Sequence, residues 1–216
     1  MVIVVSGAIG CGKSSLTNLI SKEFNLKAQY ESVDDNEILP LYYSNMEKYA
    51  LLLQIYFLNT RFKAIKESFK YNNTINDRSI YEDSLFFHKL ADDGLVSKKE
   101  VEIYDNLVEN MLEELSESNK KSPDLLIHIE VSFDKMLERI ERRGRDYEQI
   151  QNNPELFEYY KDLNNRYYSW FENYNHSPKM IIKGDTLDFV NNEEDKKIVI
   201  ENVRKELLKH NITFWS

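Results

Sequence analysis

The chain is 216 residues long and acidic, with 28 lysines and arginines against 37 aspartates and glutamates and a formal net charge of −9. That balance argues against a nucleic-acid partner, whose phosphates demand a broad basic surface. A hydrophobic fraction of 42% beside 30% charged residues describes one folded domain over 1–216, with no membrane partner, since no apolar run approaches the roughly 18 residues that span a bilayer.

In chain order, 2–6 reads as a short β-branched strand. No basic segment precedes it, so a signal peptide is not expected, and the lone cysteine, Cys11, suits a reducing cytoplasm. The strand leads into Gly7-Ala8-Ile9-Gly10-Cys11-Gly12-Lys13-Ser14, a complete G-x-x-x-x-G-K-S phosphate loop, and then into Ser15 and a helix over 13–24 with apolar residues at 16, 19 and 20. In such a loop, glycines let the backbone turn its N–H groups onto phosphates. Lys13 can reach the β/γ-phosphates and the Ser14 hydroxyl can sit on Mg²⁺. The pattern predicts binding of a nucleoside triphosphate.

Further strands are predicted over 28–33, 73–77, 124–130 and 179–183, and helices over 47–70, 79–92, 98–117, 132–143, 155–173 and 192–209. The alternation implies an α/β fold, a five-stranded parallel sheet with helices on both faces. Leu125-Leu126-Ile127-His128-Ile129 is nearly all apolar, as a strand covered on both faces should be. The polar stretch from Gly144 to Pro154 breaks the helical period and reads as a mobile loop.

Three carboxylates fall at predicted strand ends, where open parallel sheets place their chemistry: Glu31, Asp77 and Glu130. Any of them could hold Mg²⁺ or take a proton from an attacking hydroxyl, and spacing does not distinguish them. Arg139, Arg142, Arg143 and Arg145 form a cluster suited to gripping a small anion. Gln54, Phe57, Leu58 and Arg61 share one helix face, offering an amide, an apolar floor and a cation. His88, His128, His176 and His210 lack metal-ligand spacing.

Taken together, Tyr30-Glu31-Ser32-Val33, Gln54 to Arg61, Asp77-Arg78-Ser79-Ile80-Tyr81-Glu82-Asp83 and Arg139-Ile140-Glu141-Arg142-Arg143-Gly144-Arg145 resemble the deoxynucleoside kinase family over nearly the whole chain. The resemblance is to the deoxycytidine/deoxyguanosine kinase type, and within it to the bacterial deoxyadenosine kinases. It implies a P-loop kinase fold with an arginine-rich lid at about 143–153. The activity it implies is ATP- and Mg²⁺-dependent 5′-phosphorylation of deoxynucleosides in salvage, by a homodimer.

Carried over by residue, the resemblance makes Glu31 the base that takes the 5′-hydroxyl proton and Arg78 the arginine that holds Glu31 and the developing charge. Asp77, with Ser14, would serve the metal through waters. Tyr43 and Glu148 would bind the 3′-hydroxyl, and Gln54, Arg61 and Asp83 would read the base. Phe57 and the Phe86-Phe87 pair, with Phe87 counted in the site, would wall the pocket. Arg139, Arg143 and Arg145 would close on the phosphates, while the loop Gly184 to Phe189, through Asp185 and Leu187, would cup the donor adenine.

Deoxyadenosine is expected first, deoxycytidine or deoxyguanosine weaker and thymidine poor. Gln54 can donate to a ring nitrogen and accept from an exocyclic amine, and an Arg61–Asp83 pair would oppose a thymine methyl. Two alternatives share the phosphate loop. A nucleoside monophosphate kinase would need a cation near its acceptor, where Glu31 stands. A nucleotide-sensing switch would show a guanine signature, which Asn119-Lys120-Lys121-Ser122 fails to complete.

Overall fold

The computed structural model describes residues 1–31, 33, 36–71, 73–116 and 122–213. Ser32 and the segment Asn119 to Lys121 lie outside the described residues. Five parallel strands form one sheet in the order β2-β3-β1-β4-β5, where β1 is Val2–Ser6, β2 Lys27–Gln29, β3 Thr74–Asp77, β4 Leu125–Glu130 and β5 Lys179–Lys183. The central strand β1 pairs Val5 with Asp77 on one side and with Ile127 on the other, bringing the phosphate loop beside the end of β3.

The two-residue period of the strands divides the core between the two faces of the sheet. Ile3, Val5, Leu125, Ile127 and Ile129 join the large cluster that includes Leu16 and Ile20 of α1 (Lys13–Glu23) and Val199 and Val203 of α8 (Glu193–Lys209). Val4 and Leu126 point the other way, onto Phe171 of α7 (Leu156–Asn173) and Tyr174. Between β1 and β4, Ser6 Oγ lies 2.8 Å from His128 Nδ1. Burial, with Lys13 and Lys183 nearby, lowers the His128 pKa to about 3 and keeps the imidazole neutral.

Several elements depart from the sequence expectations in informative ways. β2 ends at Gln29, so Glu31 follows the strand in irregular chain. A helix absent from the prediction, α2 (Ile38–Ser44), carries Tyr42 and Tyr43. It contains Pro40 at its third residue, where a missing N–H costs no intrahelical bond. The predicted helix over 79–92 divides into a 3-10 turn Ile80–Glu82 and α4 (Asp83–Asp92). The turn begins with a capping box in which Ser79 Oγ accepts from Tyr81 N at 3.1 Å and Glu82 accepts from Ser79 N at 2.9 Å.

The long helix α3 (Met46–Tyr71) follows the expected bounds closely, as do α5 (Lys98–Ser116) and α6 (Phe133–Arg143). Gly144 ends α6 at φ 72°, its N–H bonded to Glu141 O at 3.0 Å. The polar segment beyond it is folded: Asp146–Glu148 form a 3-10 turn, and Gln149 Nε2 donates to Arg145 O at 3.0 Å.

Candidate active site

At the carboxyl ends of β1, β2 and β3 the loops enclose a cavity of about 860 Å³. Ile9, Gly10, Gly12, Lys13, Ser14 and Ser15 line one part of it. Gly7, Ala8 and Cys11 stand behind that wall, with Ala8 and Cys11 fully buried. Gly7 has φ 142°, and a Cβ there would meet Ile129 O at 2.8 Å, so only glycine fits this turn. Lys13 Nζ donates to Gly7 O at 3.0 Å and Ala8 O at 2.8 Å, holding its charge across the loop.

The side of the cavity nearest the phosphate loop is closed by α6 and the loop after β5. Arg139 donates from Nη1 to Cys11 O at 2.6 Å and from Nη2 to Gly184 O at 2.7 Å, tying the phosphate loop to the last loop of the sheet. Asp185 accepts from Ser132 N at 3.0 Å at the start of α6, and Asp185, Leu187 and Phe189 reach the cavity. Arg142, Arg143 and Arg145 line it as well.

Ser14 Oγ donates to Asp77 Oδ2 at 2.5 Å. Asp77 Oδ1 is buried and, among the described residues, has no hydrogen-bond partner. Burial raises the Asp77 pKa, while Lys13 pulls the other way. A hydroxyl and a carboxylate beside a glycine-rich loop make a hard-oxygen set that fits Mg²⁺, and Ser14 and Asp77 are the residues that would hold it.

A second part of the cavity is organised around Glu31. Its carboxylate accepts from Arg61 Nη2 and from Arg78 Nε at 3.1 Å, with the Glu31 side chain 9% exposed. Burial alone would raise its pKa, but Arg78 and Arg61 outweigh it and bring the value down to about 2. Arg61 also pairs with the fully buried Asp83, and its guanidinium lies 4.9 Å from the Phe57 ring centre. Asp83 therefore stands behind Arg61 and does not line the cavity.

Gln54 is 5% exposed and lines the cavity, with Oε1 buried and without a partner among the described residues. Tyr43 and Glu148 both line the cavity, and Tyr160 Oη donates to Glu148 O at 3.1 Å. Burial pushes the Tyr43 hydroxyl well above the ordinary tyrosine range, so it stays protonated. The Glu148 carboxylate meets Arg143 and, at 3.5 Å, Arg145, so both arginines are tied to the part of the cavity that holds Glu148.

Besides moving Asp83 off the cavity wall, the geometry corrects the choice between Phe86 and Phe87 and sets aside one open candidate, Glu130. Phe86 lines the cavity in place of Phe87, which is fully buried with its ring centre 4.5 Å from that of Tyr104. Successive helical positions point about 100° apart, so only one of the pair can face the site. Glu130, one of the three carboxylates considered, pairs with Lys183 and does not line the cavity. Sequence reasoning also passed over Glu82 and Tyr167, both buried around Arg78. The Ser79-x-x-Glu82 capping pattern was the available signal for Glu82.

Comparison with known proteins gives a consistent result. A family model described as "Deoxynucleoside kinase" matches residues 3–209. The chain is 53% identical over 206 residues to a deoxyguanosine kinase of Lactobacillus johnsonii, covering 95% of this chain and 92% of that one. It is 48% identical over 206 residues to a deoxyadenosine kinase of Lactobacillus acidophilus, covering 95% and 96%. Among solved structures it resembles the deoxyadenosine kinase from M. mycoides with bound dATP, at a TM-score of 0.78 and 28% identity, covering 96% of this chain and 100% of the other.

Proposed function

Since the chain belongs to the deoxynucleoside kinase family, which uses ATP to phosphorylate deoxynucleosides, we propose that its preferred acceptor is a purine deoxynucleoside presented to Glu31. The observation that carries this reading is Gln54, which lines the cavity and whose buried amide oxygen has no partner among the described residues. A buried amide left unmatched costs about 1–3 kcal/mol, so a base edge that satisfies both of its ends gains selectivity. Adenine does so through N1 and its exocyclic amine, and cytosine through N3 and its own, so the preference for a purine rests on the similarity to deoxyguanosine and deoxyadenosine kinases.

Guanine satisfies the same amide turned end for end, through O6 and N1–H, as thymine does through O4 and N3–H, so rejection of thymidine rests on the pocket wall around the base. The guanine reading is favoured by the 53% identity to a deoxyguanosine kinase. In either reading the charged Arg61, which lines the cavity and is paired with Asp83 behind it, is a poor neighbour for a thymine methyl. Measuring kcat/KM with ATP·Mg²⁺ and the four deoxynucleosides tests the proposal. Purines should lead thymidine by roughly 10–100-fold, and efficient thymidine phosphorylation would overturn the pocket reading.

In the proposed mechanism ATP, bound with Mg²⁺, supplies the γ-phosphoryl group. Tyr43 and Glu148 hold the 3′-hydroxyl, and Glu31 orients the 5′-hydroxyl and receives its proton. A carboxylate with a pKa of about 2 is a weak base. In a loose phosphoryl-transfer transition state, however, positioning matters more than strong activation of the nucleophile. Lys13, Arg143 and Arg145 balance the charge on the phosphoryl oxygens. We further read the active species as a cytoplasmic homodimer, to be checked by light scattering of the purified protein and by cell fractionation.

A further inference from the structure

Arg78 is a non-glycine residue at φ 86°, a backbone conformation that costs of order 1–3 kcal/mol and persists only where the surroundings enforce it. What enforces it is visible. Arg78 Nη1 donates to Tyr167 Oη at 2.7 Å and to Glu82 Oε2 at 3.2 Å, and Tyr167 Oη donates to the same Glu82 oxygen at 2.7 Å. The other Glu82 oxygen accepts from Ser79 N at 2.9 Å, fixing the backbone next to Arg78. From that anchored end, the guanidinium presents Nε to Glu31 at 3.1 Å, while its plane lies over Phe86, 5.0 Å from the ring centre.

Glu82 is fully buried and Tyr167 2% exposed, and neither lines the cavity. Burying a carboxylate is costly unless it is paired and hydrogen-bonded. This one spends its hydrogen bonds on Arg78, its neighbouring backbone and Tyr167, a residue 85 positions away on α7.

We propose that Glu82 and Tyr167 are positioning residues: they fix the orientation of Arg78 so that arginine and Glu31 form a preset pair before the acceptor arrives. Neither touches substrate; both act through Arg78. The inference rests on the reading of Arg78 as a catalytic residue, so the two must be tested separately.

The test is a double-mutant cycle on kcat using Tyr167→Phe, Glu82→Gln and Arg78→Ala, with KM for ATP and for the deoxynucleoside measured in each. Tyr167→Phe removes one hydroxyl and keeps the ring, so it remains informative if Glu82→Gln fails to fold. Tyr167→Phe should lower kcat about 10- to 100-fold, the scale of loss when a reacting group is displaced by roughly 1 Å. Both KM values should stay within about twofold, because the donor and acceptor pockets are untouched. In the Arg78→Ala background Tyr167→Phe should cost nothing more.

Wild-type kcat in Tyr167→Phe, a KM rise matching the kcat loss, or additive losses in the cycle would each overturn the inference. A nearly silent Arg78→Ala would instead overturn the role of Arg78 on which it rests.

Discussion

Glu31→Gln is the sharpest test of the site, because the structure predicts separate consequences for rate and for stability. The substitution removes a proton acceptor without removing bulk, and kcat should fall by roughly 10²–10⁴-fold. Three buried carboxylates, Glu31, Glu82 and Asp83, face two guanidiniums, Arg61 and Arg78. Neutralising Glu31 leaves two against two, so no cation is stranded and the fold should survive. The difference between an ordinary 4.5 and about 2 for this carboxyl corresponds to about 3 kcal/mol of preference for the ionised form. Losing that should lower Tm by about 6–12 °C in a chain of this length.

The same interaction has a pH signature. The folded carboxyl titrates below the unfolded one, so its stabilisation is present above pH 4.5 and is lost as pH falls through about 2. Urea unfolding of wild type and Glu31→Gln should therefore show a stability gap that narrows by about 2 kcal/mol between pH 6 and pH 3. Turnover is read at 25 °C with ATP·Mg²⁺ and a deoxynucleoside. If Glu31→Gln is nearly silent while Glu130→Gln is severe, or if the stability gap ignores pH, the assignment of the base fails.

Other expectations follow from neighbouring contacts. Lys13→Ala should abolish turnover, because it removes the cation held across Gly7 and Ala8; near-wild-type rates would remove the phosphate loop from the donor site. Arg143→Ala and Arg145→Ala should each lower kcat more than they raise the acceptor KM, and a change confined to that KM would place them in the nucleoside pocket. Gly7→Ala forces a Cβ to within 2.8 Å of Ile129 O, so ATP affinity measured by calorimetry should drop at least tenfold, and retained affinity would contradict the close approach.

The parts of the site that follow from local chain chemistry were legible in the sequence. The phosphate loop, the apolar β4 and the Gln54-to-Arg61 helix face each rest on spacing within one element, and each occurs as the spacing implies. Glu31 was legible from the sequence as one of three strand-end carboxylates, and only family resemblance singled it out as the base, because β2 is three residues long and the carboxylate lies past its end. The helix bearing Tyr43 was missed since seven residues with an internal proline carry almost no period. Phe87 was misplaced because adjacent aromatics on a helix do not reveal which one faces a cavity. Tyr167 could not have been found locally: its role depends on α7 crossing the turn at Arg78, a contact between residues 89 positions apart.

Arg139 has a consequence for how the protein is made. Its two carbonyl partners lie 128 residues before it and 45 residues after it. The phosphate loop lies within residues 7–14, yet the wall that Arg139 ties to it includes Gly184, on the far side of the chain. A nascent chain stalled between α6 and β5 would carry an intact nucleotide motif whose opposite wall had not been made. The nucleotide motif at the centre of the sheet is thus braced by a loop that leaves the edge strand β5, and a chain lacking β5 would lack that brace.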